Sequence, residues 1–243
     1  GILGVNAGAA FAIVTAIYAA DIVTPEGYVW FSFFGAAAAA ILVYSVAHVG
    51  SGGATPVKLA LAGVIVTALL GGWTTSLLVL DQETLDEARF WLAGSIASRG
   101  TEEIAVLFPF IIIGLIMGVA LGRQINILNL GEDVAASLGQ RTNFVRTIAG
   151  VVVILLCGSA VAIAGPVAFV GLAIPHMVRS LVGPDYRWIL LYSLLLGPCL
   201  LLGADVVGRI AVRPDELQVG IVTAAVGAPF LIYLVRFTKL SEV

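Results

Sequence analysis

The sequence predicts an all-α fold, a polytopic bundle of transmembrane helices, and three observations carry that prediction. The first is composition: 60% of the 243 residues are hydrophobic, 11% are charged and the mean hydropathy is +1.08. Soluble domains run at about 45–50% apolar and about 25% charged. The second is segmentation. Seven stretches of at least 17 residues hold no Asp, Glu, Lys or Arg: 1–20, 27–57, 59–80, 104–122, 147–178, 188–204 and 217–235. A helix crosses a bilayer in roughly 20 apolar residues, because each residue rises about 1.5 Å. The third is the asymmetry of the charges between those stretches, which fixes the number of crossings. Together these exclude a soluble globular domain, a disordered chain and a disulfide-stapled module. A net charge of −3, from 12 basic and 15 acidic residues, leaves no basic field for nucleic acid.

The run 147–178 decides the count, since it holds Ala164-Gly165-Pro166 near its middle. Proline removes a backbone donor and glycine loosens a helix, so this run is either one long helix or two short ones. If it is split, Lys58, Arg123, Arg141, Arg146, Arg179, Arg187, Arg236 and Lys239 share one side, against Arg89, Arg99, Arg209 and Arg213 on the other. If it is whole, the division becomes 6 to 6 and no orientation is preferred. The excess of basic residues on cytoplasmic segments selects the split. Eight spans follow, at 4–20, 28–49, 57–80, 103–122, 144–164, 167–182, 188–206 and 217–236.

The first span begins at once from Gly1, without the charged leader and cleavage context of a signal peptide, so the start reads as a truncation. The third is preceded by Thr55-Pro56 and carries Thr67, Thr74, Thr75 and Ser76, a mild polarity without charge. Threonines on helices commonly bond back to their own backbone, which weakens any pathway reading of them. The outer segment 81–102 contains Phe90-Trp91-Leu92 and Ile96 beside acids, as an interfacial helix with an aromatic anchor would. In the fourth span Gly114, Gly118 and Gly122 make a double G-x-x-x-G, which lets another backbone approach closely. Cys157 and Cys199 lie in apolar runs without a C-x-x-C spacing and read as small core residues. His48 and His176 stand far apart, so no metal site is expected.

The inner segment 131–139 says most. Glu132 and Asp133 suit the positive end of a helix dipole and Gly139 suits a C-terminal stop. Between the glycines Val134, Ala135 and Leu138 form one apolar stripe. Such a stripe either lies on lipid or docks a cytoplasmic protein. No G-x-x-x-x-G-K-[ST], G-x-S-x-G or H-E-x-x-H occurs, so neither ATP binding nor hydrolytic catalysis is expected of this chain. Nor is there a ladder of buried carboxylates for ion coupling, which disfavours an ion-coupled secondary transporter.

Gly131 to Gly139 resembles the G-E-x-V-A-x-S-L-G motif of FecCD-type permeases of ABC importers, which carry iron–siderophore complexes, haem or cobalamin. The likeness continues through Ala164 to Leu172, Pro175 to Arg179, Gly183 to Arg187, Ala204-Asp205, Glu216 to Gly220 and Gly227 to Phe230. Gly1 to Ala9 and Phe90 to Ser95 also resemble family segments. Two positions depart from the pattern: Tyr186 stands where the family usually has His, and Gln218 where it has Pro. The family's ten-helix fold begins two helices earlier, so eight spans of it are expected here, in one permease domain over 1–243.

The resemblance implies several roles. Gly131, Glu132, Val134, Ala135, Leu138 and Gly139 would form the coupling helix for partner ATPases, which bind the ATP. Thr55, Pro56 and Thr67 would belong to the gate and pathway, and Arg209 would dock an extracytoplasmic binding protein. Asp205, four residues earlier, offers Arg209 a helix-bracing partner as the plainer reading. The partners implied are a second permease subunit, two ATPase subunits and the binding protein, in a bacterial cytoplasmic (inner) membrane. An iron(III)–siderophore complex is the expected cargo. No cofactor is expected in the chain itself.

Overall fold

A computed structural model describes residues 4–20, 22, 24–49, 55–96, 100–212 and 217–237. All regular structure among them is helical, in the order α1 (Val5–Ala20), α2 (Pro25–His48), α3 (Pro56–Leu80), α4 (Gln82–Leu92), α5 (Thr101–Ala120), α6 (Gly122–Leu128), α7 (Glu132–Ser137), α8 (Thr142–Ala164), α9 (Val170–Val182), α10 (Tyr186–Ala211) and α11 (Val219–Phe237).

Each of the eight predicted spans coincides with an apolar helix, but helix length supports fewer full crossings. Among the described residues four helices qualify by length and composition, and the bent pair Ile104–Ala120 and Gly122–Leu128, at 48°, makes a fifth if it is one span. The 16 residues of α1 and 13 of α9 rise only about 24 and 20 Å, short of a hydrocarbon core about 30 Å thick. The break inside 147–178 is where the sequence places it. α8 ends at Ala164, and Gly165 at φ 70° and Phe169 at φ 77° turn the chain before α9.

The core is built around α1. Its Val5, Ala9, Ile13, Val14 and Ile17 are buried against Ala36 of α2, Ala88 and Trp91 of α4 and Val161 of α8. The closest helix contact is between Gly8 and Gly35: a Cβ on Gly8 would lie 2.3 Å from the Gly35 carbonyl oxygen, and one on Gly35 2.2 Å from that of Gly8. The sequence carries this contact as Gly8-x-x-x-Ala12 on one helix and Gly35-x-x-x-Ala39 on the other. The triplet running from α5 to the first residue of α6 behaves differently from expectation. Gly114 and Gly118 receive side chains of α8 (Leu156 and Val152), and only Gly122 meets a backbone, that of Arg187.

Three further expectations are corrected. α4 does not anchor on lipid through Trp91: that indole is buried in the α1 core and lies 6.2 Å from the Tyr28 ring. Cys199 is exposed on α10, while Cys157 packs against the core. The helix preceding the last connection extends to Ala211, so Arg209 sits on α10 itself and not in a turn.

Charges separate along the bundle. In chain order, Lys58, Arg123, Arg141, Arg146, Arg179 and Arg187 fall at the helix ends on the side of α6 and α7, with Glu132, Asp133 and Asp185, whereas Asp81, Glu83, Asp86, Glu87 and Glu102 fall on the side of α4, with Arg89 and Arg209. Asp81 caps α4: its carboxylate accepts from the Thr84 N–H at 2.8 Å and from the Thr84 hydroxyl. Chiefly that hydroxyl, with the N–H, holds the Asp81 carboxyl below its ordinary value.

Candidate functional site

α7 is bracketed by glycines that conformation demands. Gly131 has φ 106° and Gly139 φ 81°, while a Cβ on either would meet nothing within 4 Å. Only glycine adopts such angles without strain, so crowding plays no part in the choice. At the C-terminal end the Gly139 N–H donates to the Ala136 carbonyl at 2.9 Å and the Gln140 N–H to that of Ala135 at 3.0 Å. This pair of bonds closes a helix on a left-handed glycine. The segment is therefore a short, defined helix with its C-terminal end satisfied.

Three contacts hold it to the bundle. The Ala135 methyl is fully buried. Glu132 accepts a two-pronged bond from Arg146 of α8, at 3.1 and 3.0 Å. Past Gly139, the Gln140 side-chain amide donates to the Gln124 carbonyl at 3.0 Å. Val134 and Leu138 point away and are 45% and 63% exposed. The predicted stripe is thus divided. Successive helical residues lie about 100° apart, so Ala135 turns inward while Val134 and Leu138, one turn apart, stay outside together. Arg146 was not singled out in the sequence, because a partner 14 residues from Glu132 has no local signature.

Beside this segment, Asn126 of α6 meets the start of α10. Its Nδ2 donates to Asp185 at 2.6 Å and its Oδ1 accepts the Tyr186 N–H at 2.8 Å. Asp185 also accepts the Arg187 N–H at 2.9 Å. That N–H first, then the Asn126 amide, hold the Asp185 carboxyl below its ordinary value. Tyr186, where the resemblance expected His, accepts from Arg179 Nη2 at 3.0 Å, and the guanidinium lies 5.5 Å from its ring centre.

The remaining expected site residues lie apart from α7. Thr55 caps α3, its side chain accepting the Lys58 N–H at 3.3 Å, and Pro56 opens that helix. Both have a sufficient role in starting a helix. Thr67 is exposed midway along α3. On the same helix Thr74, Thr75 and Ser76 donate to the carbonyls of Leu70, Gly71 and Gly72, the backbone bonding expected of them. At the opposite end of the bundle from α7, Arg209 Nε donates to Asp205 at 2.8 Å, so the brace exists. Glu216, where the family likeness over Glu216 to Gly220 begins, lies outside the described residues.

A bundle of long apolar helices with one anchored, outward-facing amphipathic turn defines a multi-pass membrane protein. The chain belongs to the FecCD transport family, whose model matches residues 1–237. It is 43% identical over 236 residues to the probable siderophore transport system permease protein YfiZ of Bacillus subtilis (strain 168), covering 97% of this chain and 71% of that one. It is 44% identical over 237 residues to the ferric enterobactin transport system permease protein FepD of Escherichia coli (strain K12), covering 97% and 70%. Among solved structures, an inward-facing conformation of a putative metal-chelate type ABC transporter matches with a TM-score of 0.86 and 28% identity, over 98% of this chain and 75% of that one. The protein is accordingly a permease of an ABC importer and not an enzyme, and ion-coupled secondary transport is set aside.

Proposed function

We propose that this chain is one of two permease subunits of a binding-protein-dependent importer in the bacterial cytoplasmic membrane, moving an iron(III)–siderophore complex inward by alternating access. Two partner ATPases would bind and hydrolyse the ATP and drive the change through α7. One observation carries the reading: Val134 and Leu138 are exposed on a helix whose other side is pinned by Ala135 and by the Glu132–Arg146 fork. Such a helix is rigid enough to transmit a push and apolar enough to bind a partner. An orientation with α7 in the cytoplasm and α4 outside agrees with the basic residues around α7. The α3 face bearing Thr67 would line the route, with Thr55 and Pro56 at its inner narrowing.

The siderophore class is supported by the names of the relatives. A cobalamin cargo is the second reading, favoured by 37% identity over 236 residues to the cobalamin import system permease protein BtuC of Halobacterium salinarum. Haem is a third cargo of the same family. Growth of a deletion strain on a panel of siderophores, haem and cobalamin separates them; growth restored by the cloned gene on cobalamin alone would replace the first reading.

Orientation has its own test. Cysteine at Ser137, exposed on α7, should resist an impermeant thiol reagent in intact cells, while cysteine at Glu83 should react. Glu83 serves better than its neighbour Thr84, which is 2% exposed. The reverse pattern would invert the topology.

Arg209 is proposed to dock the binding protein. A guanidinium carries five donors in a planar fork, so a bond to Asp205 and a role in docking are compatible. An exposed pair of this kind contributes about 0.3–0.5 kcal/mol, and Asp205→Asn should therefore change little. Arg209→Glu should weaken binding-protein affinity by about tenfold or more at low salt, with the effect shrinking as salt is raised. Unchanged affinity at low salt would leave Arg209 a brace alone.

A further inference from the structure

We infer that Asn126 is the positioning residue that ties the ATPase-docking segment to α10, so that movement of α7 reaches the far end of α10, where Arg209 stands. The inference rests on the reading of α7 given above and concerns the path along which its motion travels.

The path begins with the way α10 starts. The first N–H groups of any helix lack partners within the helix. Here the Arg187 N–H is satisfied by Asp185, its own cap, but the Tyr186 N–H is satisfied by Asn126, from a different helix. The same amide donates from Nδ2 to the Asp185 carboxylate. Its orientation is therefore fixed, since rotation by half a turn would set acceptor against acceptor and donor against donor. One side chain holds both residues at the head of α10.

Packing reinforces the joint. Gly122, on the same short helix as Asn126, lies so close to α10 that a Cβ there would be 3.1 Å from Arg187 Cα. On the other side, α6 passes into α7 through a connection of three residues, Asn129 to Gly131. That connection is closed by bonds from the Leu130 N–H to the Ile127 carbonyl (3.1 Å) and from the Gly131 N–H to that of Leu128 (3.2 Å). The Gln140–Gln124 bond closes the loop from beyond α7. Displacement of α7 therefore moves α6, and α6 cannot slide past α10 without breaking both Asn126 bonds.

α10 is suited to carry the movement onward. It is one helix of 26 residues, about 39 Å long. It packs against α9, α11, α6 and α5, and among the long helices of the described residues it leaves the largest share of its apolar surface uncovered within this chain. Its last two turns bear Asp205 and Arg209, so the joint at Asn126 and the outward charge pair lie at opposite ends of one helix, which carries Pro198 near its middle.

The test uses the assembled permease–ATPase complex in lipid nanodiscs, with Cys157 and Cys199 replaced by serine. An environment-sensitive fluorophore is placed on Val207→Cys, an exposed position near the outer end of α10. The probe is ATP with orthovanadate, which traps the ATPases closed. Trapping should shift the emission of the labelled parent. Asn126→Ala should reduce that shift about fivefold or more, the lower range of measured couplings between sites, with the amount of trapped nucleotide unchanged. Asn126→Asp should do the same, because it sets two carboxylates together. A full shift in an assembled Asn126→Ala or Asn126→Asp variant would overturn the inference and leave the proposed function standing. Should Asn126→Ala fail to assemble, Asn126→Asp, which keeps an acceptor for the Tyr186 N–H, decides alone. Trapping of nucleotide in the parent without any shift would also overturn it. A parent that binds no ATPase at all would overturn the proposed function as well.

Discussion

Gly165→Ala is expected to abolish the stably folded protein. Gly165 has φ 70° and ψ −175°, a backbone region that essentially only glycine enters, and other residues there cost about 1–3 kcal/mol. A Cβ would also lie 2.0 Å from the Trp91 carbonyl oxygen, and relieving such a clash in a packed interior costs typically another 1–3 kcal/mol. The neighbourhood has no slack. The Ser95 N–H donates to the Ala164 carbonyl at 2.9 Å, and the Gly220 N–H to that of Gly94 at 3.0 Å. A Cβ on Gly220 would in turn lie 2.3 Å from the Ala93 carbonyl oxygen. The chain after α4 is thus threaded between the α8–α9 break and the start of α11, and shifting one strand of this knot shifts three helices. Natural domains hold only about 5–15 kcal/mol of stability, so the sum is a large share of the total. Thermal stability of detergent-extracted protein, read by the retained size-exclusion peak after heating, should collapse for Gly165→Ala. Gly150→Ala, where a Cβ meets nothing within 4 Å, should match the parent. Equal melting of Gly165→Ala and the parent would refute the argument.

Leu138→Asp is expected to abolish transport while leaving the bundle intact. Leu138 is 63% exposed, so the free chain loses little by the change. In a docked complex the same side chain would be desolvated, and an unpaired carboxylate in an apolar contact costs several kcal/mol. The proposed ATPase contact should then weaken by at least about a hundredfold, lost as co-purification and as substrate uptake, with membrane insertion and melting unchanged. Normal ATPase binding by a folded Leu138→Asp chain would mean that Val134 and Leu138 face lipid or solvent. Ala135→Asp is the informative contrast. Ala135 is fully buried within the permease itself, so that change should destabilise the fold as well.

Much of this protein is legible in its sequence because composition and punctuation are local properties. Long uncharged runs must be membrane helices, since no other structure satisfies a backbone in hydrocarbon except a closed barrel. Ala164-Gly165-Pro166 marks a break because Gly165 takes a positive φ and proline has no N–H to give. The glycines at 131 and 139 bound α7 for the same conformational reason, and the charges between the spans set a polarity. None of these depends on what lies beside them in space.

What only the tertiary structure decided is which face of each helix meets protein. In a chain that is 60% hydrophobic lipid is as apolar as the core, so hydropathy carries no period that separates the two. That is why Trp91 reads as a lipid anchor but packs inward, why Cys199 reads as core but is exposed, and why α1 and α2 meet backbone to backbone at Gly8 and Gly35 while Gly114 and Gly118 of the more conspicuous triplet do not meet a backbone. It is also why Val134 and Ala135 part company on α7. The polar joints escape the sequence for a related reason. Glu132 finds Arg146 14 residues away, and Asn126 finds Asp185 59 residues away. A hydrogen bond fixes two atoms at about 3 Å whatever length of chain lies between them, and only the packed fold brings those atoms within that distance.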